Sequence, residues 1–446
     1  MAGLFSRLRK PIGLQLPIIA LAFALLTSGC AGSASSSGPQ PGATSMSALD
    51  PLAPGWGVTH TQYTADDGTA ASAANAERSL GSVAMPQDQA IMGWGADNPE
   101  PSPGEYDFAS LDSRMSLIRA TGGLPVITLC CAPDWMKGGR AAQTDWSQLA
   151  AAPLPAHYQD FADLAATVAR RYPYVRDYIV WNELKGFMGN GTGPWNITGY
   201  VDLYNRVYKA LKAVNPAILV GGPYVPMESS QPDGHADSST LSGTWGRVDP
   251  RSLGALDYWL AHKAGADFVV VDGSSVSEQG DTPGGAFSAV QKFTAVSRWI
   301  TALTKLPVWW SEWYVEPADS GWTESHRTAV QAAAMMALVY GGESAALYWN
   351  PEKPSGPCPG CLWTNATSGR GTGGEPMPMS AALQGFARWF GPGVAVTSSA
   401  TPSSAVLVLT QAKEGVAVNT TDAPATGHAA GRVLRLAPYQ VLWFPI

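Results

Sequence analysis

Basic charge is scarce in this chain. Its 28 Lys and Arg face 35 Asp and Glu, for a net charge of −7 at pH 7, which leaves no electrostatic case for a nucleic-acid partner or for binding an anionic membrane surface. Cysteine is scarce as well, with five in 446 residues. One is Cys30, and the others are the adjacent pair Cys130-Cys131 and the two in Pro-Cys358-Pro-Gly-Cys361. A Cys-x-x-Cys spacing can suggest zinc or redox chemistry. Without a thioredoxin-like context, and where a chain is exported, a disulfide closing that local loop is expected instead. The adjacent pair leaves three options open: a vicinal bridge, a bridge to Cys358 or Cys361, or free buried thiols. No metal and no cofactor are expected. No Gly-x-Gly-x-x-Gly follows the first strand, which argues against a dinucleotide-binding open sheet.

The apolar run Leu14 to Leu26 is too short to span a membrane comfortably and follows Arg7, Arg9 and Lys10, the layout of an export signal. It ends in Leu26-Thr-Ser-Gly-Cys30, with Thr27 where a lipobox usually has Leu. Residues 1–30 therefore read as a lipoprotein-type signal with a lipid on Cys30 as the sole membrane link; ordinary cleavage without a lipid is the alternative. Residues 31–53, rich in Ser, Gly and Pro, read as a flexible tether. The expected location is outside the cytoplasm, secreted or held at the cell surface.

What the chain has in quantity is apolar and aromatic side chains: 45% hydrophobic residues and 17 Trp, enough for a large folded core. From about residue 54, short apolar runs alternate with amphipathic segments. The predicted strands begin at Gly55-Trp-Gly-Val-Thr-His60, Ala90-Ile-Met-Gly-Trp94, Leu124-Pro-Val-Ile-Thr-Leu129 and Tyr178-Ile-Val-Trp181. Ala217 to Gly222, Asp267 to Val271, Leu306 to Trp310 and Ala345 to Trp349 follow. Eight such β/α units over residues 54–391 predict parallel strands closed into a (β/α)8 TIM barrel. Residues 392–446 switch to short strands separated by turns, predicting a small all-β, sandwich-like module. It is too small to bury a core alone, so it should pack on the barrel, with a strand from the N-terminal side as a possible addition.

A TIM barrel carries its active site at the carboxyl ends of its strands. There the sequence sets Asn182-Glu183 after strand four and Ser311-Glu312-Trp313 after strand seven. Remote in sequence, the two glutamates would meet at one mouth. A pair of carboxyls is what glycosidic hydrolysis needs, one to protonate the leaving oxygen and one to attack or stabilise the anomeric carbon. Either Glu alone would more often be a polar cap at a strand end. His60 could bind sugar hydroxyls or be a hydrogen-bonded core histidine, and Trp94, Trp135 and Trp313 could line subsites or fill the core.

These residues resemble clan A glycoside hydrolases. The Gly104-Glu-Tyr-Asp-Phe108 turn, Gly221-Gly-Pro223 after strand five and Trp349 after strand eight are most similar to family 39, the β-xylosidase group, with family 5 second. The resemblance implies that Glu183 is the acid/base and Glu312 the nucleophile of a double displacement with retention. It implies that Asn182 hydrogen-bonds the sugar 2-hydroxyl, that Trp349 floors the cleavage subsite, and that the partner is an oligo- or polysaccharide. One departure stands out: Asp272-Gly-Ser occupies the place after strand six where the family has a His-x-Tyr-like pair. Tyr224 or Tyr314 is then left to orient the nucleophile. The alternatives are an envelope arabinogalactan-type furanosidase, a transglycosylase, or a non-catalytic carbohydrate-binding lipoprotein.

Overall fold

The structure is a computed structural model that describes residues 54–66, 68–188, 194–230, 239–315, 320–349, 358–365, 373–398 and 405–446. The leader with Cys30 and the tether lie outside the described residues.

Eight parallel strands close into a barrel in sequential order. They are β1 (Gly55–Thr59), β2 (Pro86–Ala90), β3 (Leu124–Leu129), β4 (Asp177–Val180), β5 (Leu219–Pro226), β6 (Phe268–Ser274), β7 (Val308–Tyr314) and β8 (Ala345–Trp349). The longer helices are α1 (Ala70–Leu80), α2 (Ala109–Ala120), α3 (Tyr158–Arg171), α4 (Ile197–Val214), α5 (Pro250–His262), α6 (Gln291–Leu303), α7 (Glu324–Gly341) and α8 (Pro378–Trp389). Side-chain chemistry sets their limits. Asn196 caps α4 by accepting from Gly199 N at 3.1 Å, Asp249 caps α5, where Pro250 opens the helix, and α7 stops at Gly342 with φ 78°. On α3, Phe161, Leu164, Ala165 and Val168 are fully buried at the i, i+3, i+4, i+7 spacing. Each large apolar side chain so buried contributes about 1.5–3 kcal/mol.

The barrel interior is filled by alternate strand residues. Val126, Ile179, Tyr224, Phe268, Val270, Trp309 and Ala345 form one cluster there, and Phe268 stacks on Trp309 at 3.9 Å. Gly221 makes room for this, since a Cβ on it would fall 2.0 Å from the Phe268 ring.

Two boundaries correct the sequence reading. The second strand is Pro86–Ala90, not Ala90 to Trp94. Its residues Gln87, Asp88 and Gln89 are buried and polar, and Gln87 and Asp88 are matched by polar neighbours: Thr128 Oγ1 donates to Asp88 Oδ2 at 2.7 Å and Gln87 Nε2 to Thr121 Oγ1 at 3.0 Å. An apolar-run criterion passes over such a strand. Strand seven runs on to Tyr314, so Glu312 lies within it.

The long excursion after β5 adds a small three-stranded sheet from Ser229–Ser230, Ser242–Gly243 and Gly246–Val248. Beyond the barrel, β9 (Thr397–Ser398), β10 (Val406–Thr410), β11 (Glu414–Asn419) and β14 (Val441–Pro445) form an antiparallel sheet, and β12 (Ala425–Ala429) pairs with β13 (Arg432–Leu436). Val406, Val408, Ala417, Leu434, Leu436 and Phe444 share a core between these sheets. Trp443 meets Phe386 of α8 edge-on at 5.6 Å, which docks the module on the barrel. Among the described residues no N-terminal strand joins it, because the first strand is in the barrel. Both cysteine pairs are bridged locally, Cys130–Cys131 and Cys358–Cys361.

Candidate active site

The residues at the barrel mouth are presented by irregular backbone. Eight non-glycine residues have positive φ among those described; four of them (Trp94, Trp181, Glu183 and Leu184) follow barrel strands there, and a fifth, Tyr224, lies at the bulge in β5. Such conformations cost of order 1–3 kcal/mol each and cluster where a site demands them. Two register shifts act in the same way. The pairing of β5 with β6 slips between Pro223 and Val225, around Tyr224, and that of β7 with β6 slips between Trp310 and Glu312. A bulge re-aims a side chain. Here Trp310 and Trp313 both pack beneath α6 against Phe293, at 5.0 and 6.3 Å, while Glu312 turns to the mouth.

The two glutamates are brought together. Asn182 Nδ2 donates to Glu312 Oε1 at 3.2 Å, and the Tyr224 hydroxyl donates to the same oxygen at 2.8 Å. Lys185 Nζ pairs with Glu183 and also donates to Asn182 Oδ1. The amide's oxygen is thereby engaged by a cation, which leaves its NH2 to face Glu312. Asp272, the register partner of Glu312 on β6, stands beside Glu183 in the same buried space. Glu183, Asp272 and Glu312 each offer a carboxylate oxygen within 4.8 Å of the others. The cation that meets this trio is the Lys185 ammonium.

Crowding three carboxyls in one partly closed space separates their proton affinities. Burial, then the charge of Glu183, pushes Glu312 up to about 7, with Lys185 and the Tyr224 hydrogen bond pulling the other way. Burial also raises Glu183, but the Lys185 charge and the hydrogen bond from Asp272 outweigh it and leave that carboxyl below its ordinary value. Asp272 is held well above the carboxylate range by burial, then by Glu183. The site therefore stores a proton while keeping one carboxylate ionised.

Other residues singled out in the sequence are distributed as follows. Trp349 ends β8, is partly open, and lies 5.9 Å from the Tyr314 ring. Trp94 is partly open, and Lys185 Nζ sits 5.1 Å from its ring centre. Trp135 donates its indole N–H to the Glu100 carbonyl at 2.9 Å and packs edge-on against His157. Trp313 is fully buried in the helix layer. His60 is buried with both ring nitrogens engaged, Nδ1 by Thr64 Oγ1 and Nε2 by Gln87 Oε1 at 3.0 Å. Burial, then the charge of Arg114, lowers it to about 4, so it is neutral. The sequence reading did not single out Lys185, and noted Asp272 only as a departure. Asp272 carries the same signal as the glutamates, an acid at the end of an apolar strand.

Comparison with known proteins agrees with this geometry. The profile of glycosyl hydrolases family 39 matches residues 98–347, more than half of the chain. No curated protein matches the chain. Among solved structures, a family 39 glycoside hydrolase from the gut symbiont Bacteroides cellulosilyticus WH2 is 13% identical with a TM-score of 0.56, over 89% of this chain and 81% of that one. SrfJ from Salmonella typhimurium is 14% identical with a TM-score of 0.56, over 87% and 88%. A glucosidase from Croceicoccus marinus is 15% identical with a TM-score of 0.50, over 87% and 81%. At these identities the structures speak for the shared barrel fold. The family profile goes further: this chain belongs to glycosyl hydrolases family 39 and is a glycosidase acting on a carbohydrate substrate.

Proposed function

We propose that the chain is a retaining glycosidase working by double displacement, with Glu312 as nucleophile and Glu183 as acid/base. The observation that carries this is the placement of two donors, Asn182 Nδ2 and the Tyr224 hydroxyl, on one oxygen of Glu312, with a carboxylate oxygen of Glu183 within 4.8 Å. Donors on a carboxylate favour its ionised form and fix its direction of attack. A closest approach within 4.8 Å is compatible with the carboxyl separation of about 5–5.5 Å of a retaining pair.

In the first half-reaction, Glu183 gives its proton to the glycosidic oxygen as the bond to the anomeric carbon breaks. Glu312 forms a bond to that carbon from the opposite face. In the second, Glu183 takes a proton from water, whose oxygen displaces Glu312. At the moment of cleavage the stored proton must be on Glu183, and the free site can put it there by internal transfer, since the coupled carboxyls titrate as a group. In this reading Asn182 meets the sugar 2-hydroxyl, and the partly open indole faces of Trp349 and Trp94 receive the ring.

The substrate we propose is a β-linked or furanosidic oligo- or polysaccharide outside the cytoplasm, reached by a chain exported through residues 1–30 and tethered at Cys30. A panel of nitrophenyl pyranosides and furanosides, with the product anomer followed by NMR, tests the reading. Retention is expected, and a first-formed product of inverted configuration rules out double displacement.

A further inference from the structure

Of the three carboxyls gathered at the mouth, the two half-reactions leave one unused. Asp272 is 2% exposed, lies in register with Glu312, and offers a carboxylate oxygen within 4.8 Å of one on Glu183. Two buried carboxyls this close repel each other when both are ionised, which favours a proton on one of them. The groups facing Asp272 are Glu183 and Lys185 from the β4 loop, Tyr224 from β5, Glu312 and Tyr314 from β7, and Lys292 from α6. Lys292 is fully buried and committed elsewhere, donating to Ser229 Oγ at 3.1 Å and to the Ser274 carbonyl at 3.0 Å. Lys185 touches Glu183 directly. The cation in contact with the pair thus stands on the Glu183 side, which favours the ionised form of Glu183 over that of Asp272. Glu183 keeps 18% of its side chain open to the mouth, whereas Asp272 is closed off. The proton is held behind the group that meets substrate.

We propose that Asp272 is a positioning residue that holds, through a hydrogen bond to Glu183, the proton Glu183 delivers to the leaving oxygen. This deepens the reading above and rests on Glu183 being the acid/base. At rest the proton is on Asp272. On sugar binding the Asp272 O–H bond breaks as a Glu183 O–H bond forms, and Glu183 passes that proton to the glycosidic oxygen. In the second half-reaction the proton taken from water by Glu183 returns to Asp272. No proton or electron is gained or lost over the cycle. Losing the last proton of the pair leaves two adjacent negative charges, so the pair holds it to higher pH than a lone carboxyl would.

The test is Asp272→Asn, which keeps the shape and a donor but has no transferable proton. Phenyl and 2,4-dinitrophenyl glycosides of the sugar that the panel finds best cleaved are the two probes. The second probe has a leaving group that needs no proton. In the variant, Glu183 faces a neutral amide and loses its proton earlier. The alkaline limb of kcat/KM on the phenyl glycoside is expected to move down by about one pH unit or more, with the dinitrophenyl rate changed less than about threefold. An unmoved alkaline limb in the folded variant overturns the proposal, as does an equal loss on both probes at every pH. If Asp272→Asn does not fold, Asp272→Ser is read by the same criteria. Glu183→Gln separates the two levels. If it retains phenyl-glycoside cleavage, the acid/base assignment fails; if it selectively loses that activity while the Asp272→Asn limb stays put, only the role of Asp272 fails.

Discussion

Replacing Tyr224 with Phe removes a single atom whose hydrogen bond is placed on the proposed nucleophile. The ring is fully buried in the barrel-interior cluster and the hydroxyl's bond is to Glu312 Oε1 at 2.8 Å, so Phe keeps the packing and strands no polar partner elsewhere. A hydrogen bond to a charged group is worth about 1.5–3 kcal/mol. At about 1.4 kcal/mol per pKa unit, its loss raises Glu312 by about one to two units. Glu312 already stands at about 7 through burial and the charge of Glu183, and it must be ionised to attack. The acid limb of kcat/KM, read with the dinitrophenyl glycoside, should therefore move from near 7 to roughly 8–9. At pH 7 the rate should fall by roughly five- to fiftyfold, and most of the loss should be recovered at higher pH. An acid limb that stays put or moves to lower pH would refute the reasoning, because it would mean that the hydroxyl does not favour the carboxylate.

Lys185→Met keeps an apolar stem against Trp94 but removes the charge that holds both glutamates down. The acid limb is expected to move to higher pH, and added salt should shift it less than in the wild type. Glu312→Gln should abolish turnover yet stabilise the fold. The folded carboxyl stands at about 7 against an ordinary 4.5, so the folded state binds the proton more tightly than the unfolded one, and wild-type stability drops as pH rises through that window. In denaturant titrations the variant should be more stable at pH 8 by up to about 3 kcal/mol, with the gap closing below about pH 4.5. An equal gap at both pH values would contradict the proposed origin of the shift.

The barrel was legible because β3, β4 and β8 are mostly apolar, and because helices such as α3 keep a clean apolar stripe. β2 was misplaced because its Gln-Asp-Gln core is apolar in neither face, and only the closed barrel supplies Thr128 and Thr121 as partners. The proximity of Glu183 and Glu312 followed from strand count alone. Tyr224 and Trp313 could not be separated in the same way. Each sits in the carboxyl-terminal half of its strand, and local bulges, not periodicity, turn one to the mouth and the other to the helix layer. Lys185 was hidden for another reason: two residues past Glu183, it returns to the site only because Glu183 and Leu184 take left-handed backbone. Nor could His60 be decided from sequence, since its state depends on Thr64 and Gln87 closing on both ring nitrogens.

The central claim is that Glu312 attacks the anomeric carbon. A 2-deoxy-2-fluoro glycoside with a dinitrophenyl leaving group, made from the best-cleaved sugar, should accumulate the glycosyl-enzyme, and peptide mass mapping then locates the sugar. The account predicts one sugar per chain on the peptide containing Glu312, with none on Glu312→Gln. A label on Glu183 or Asp272, or rapid turnover to product of inverted configuration without any label, would contradict it.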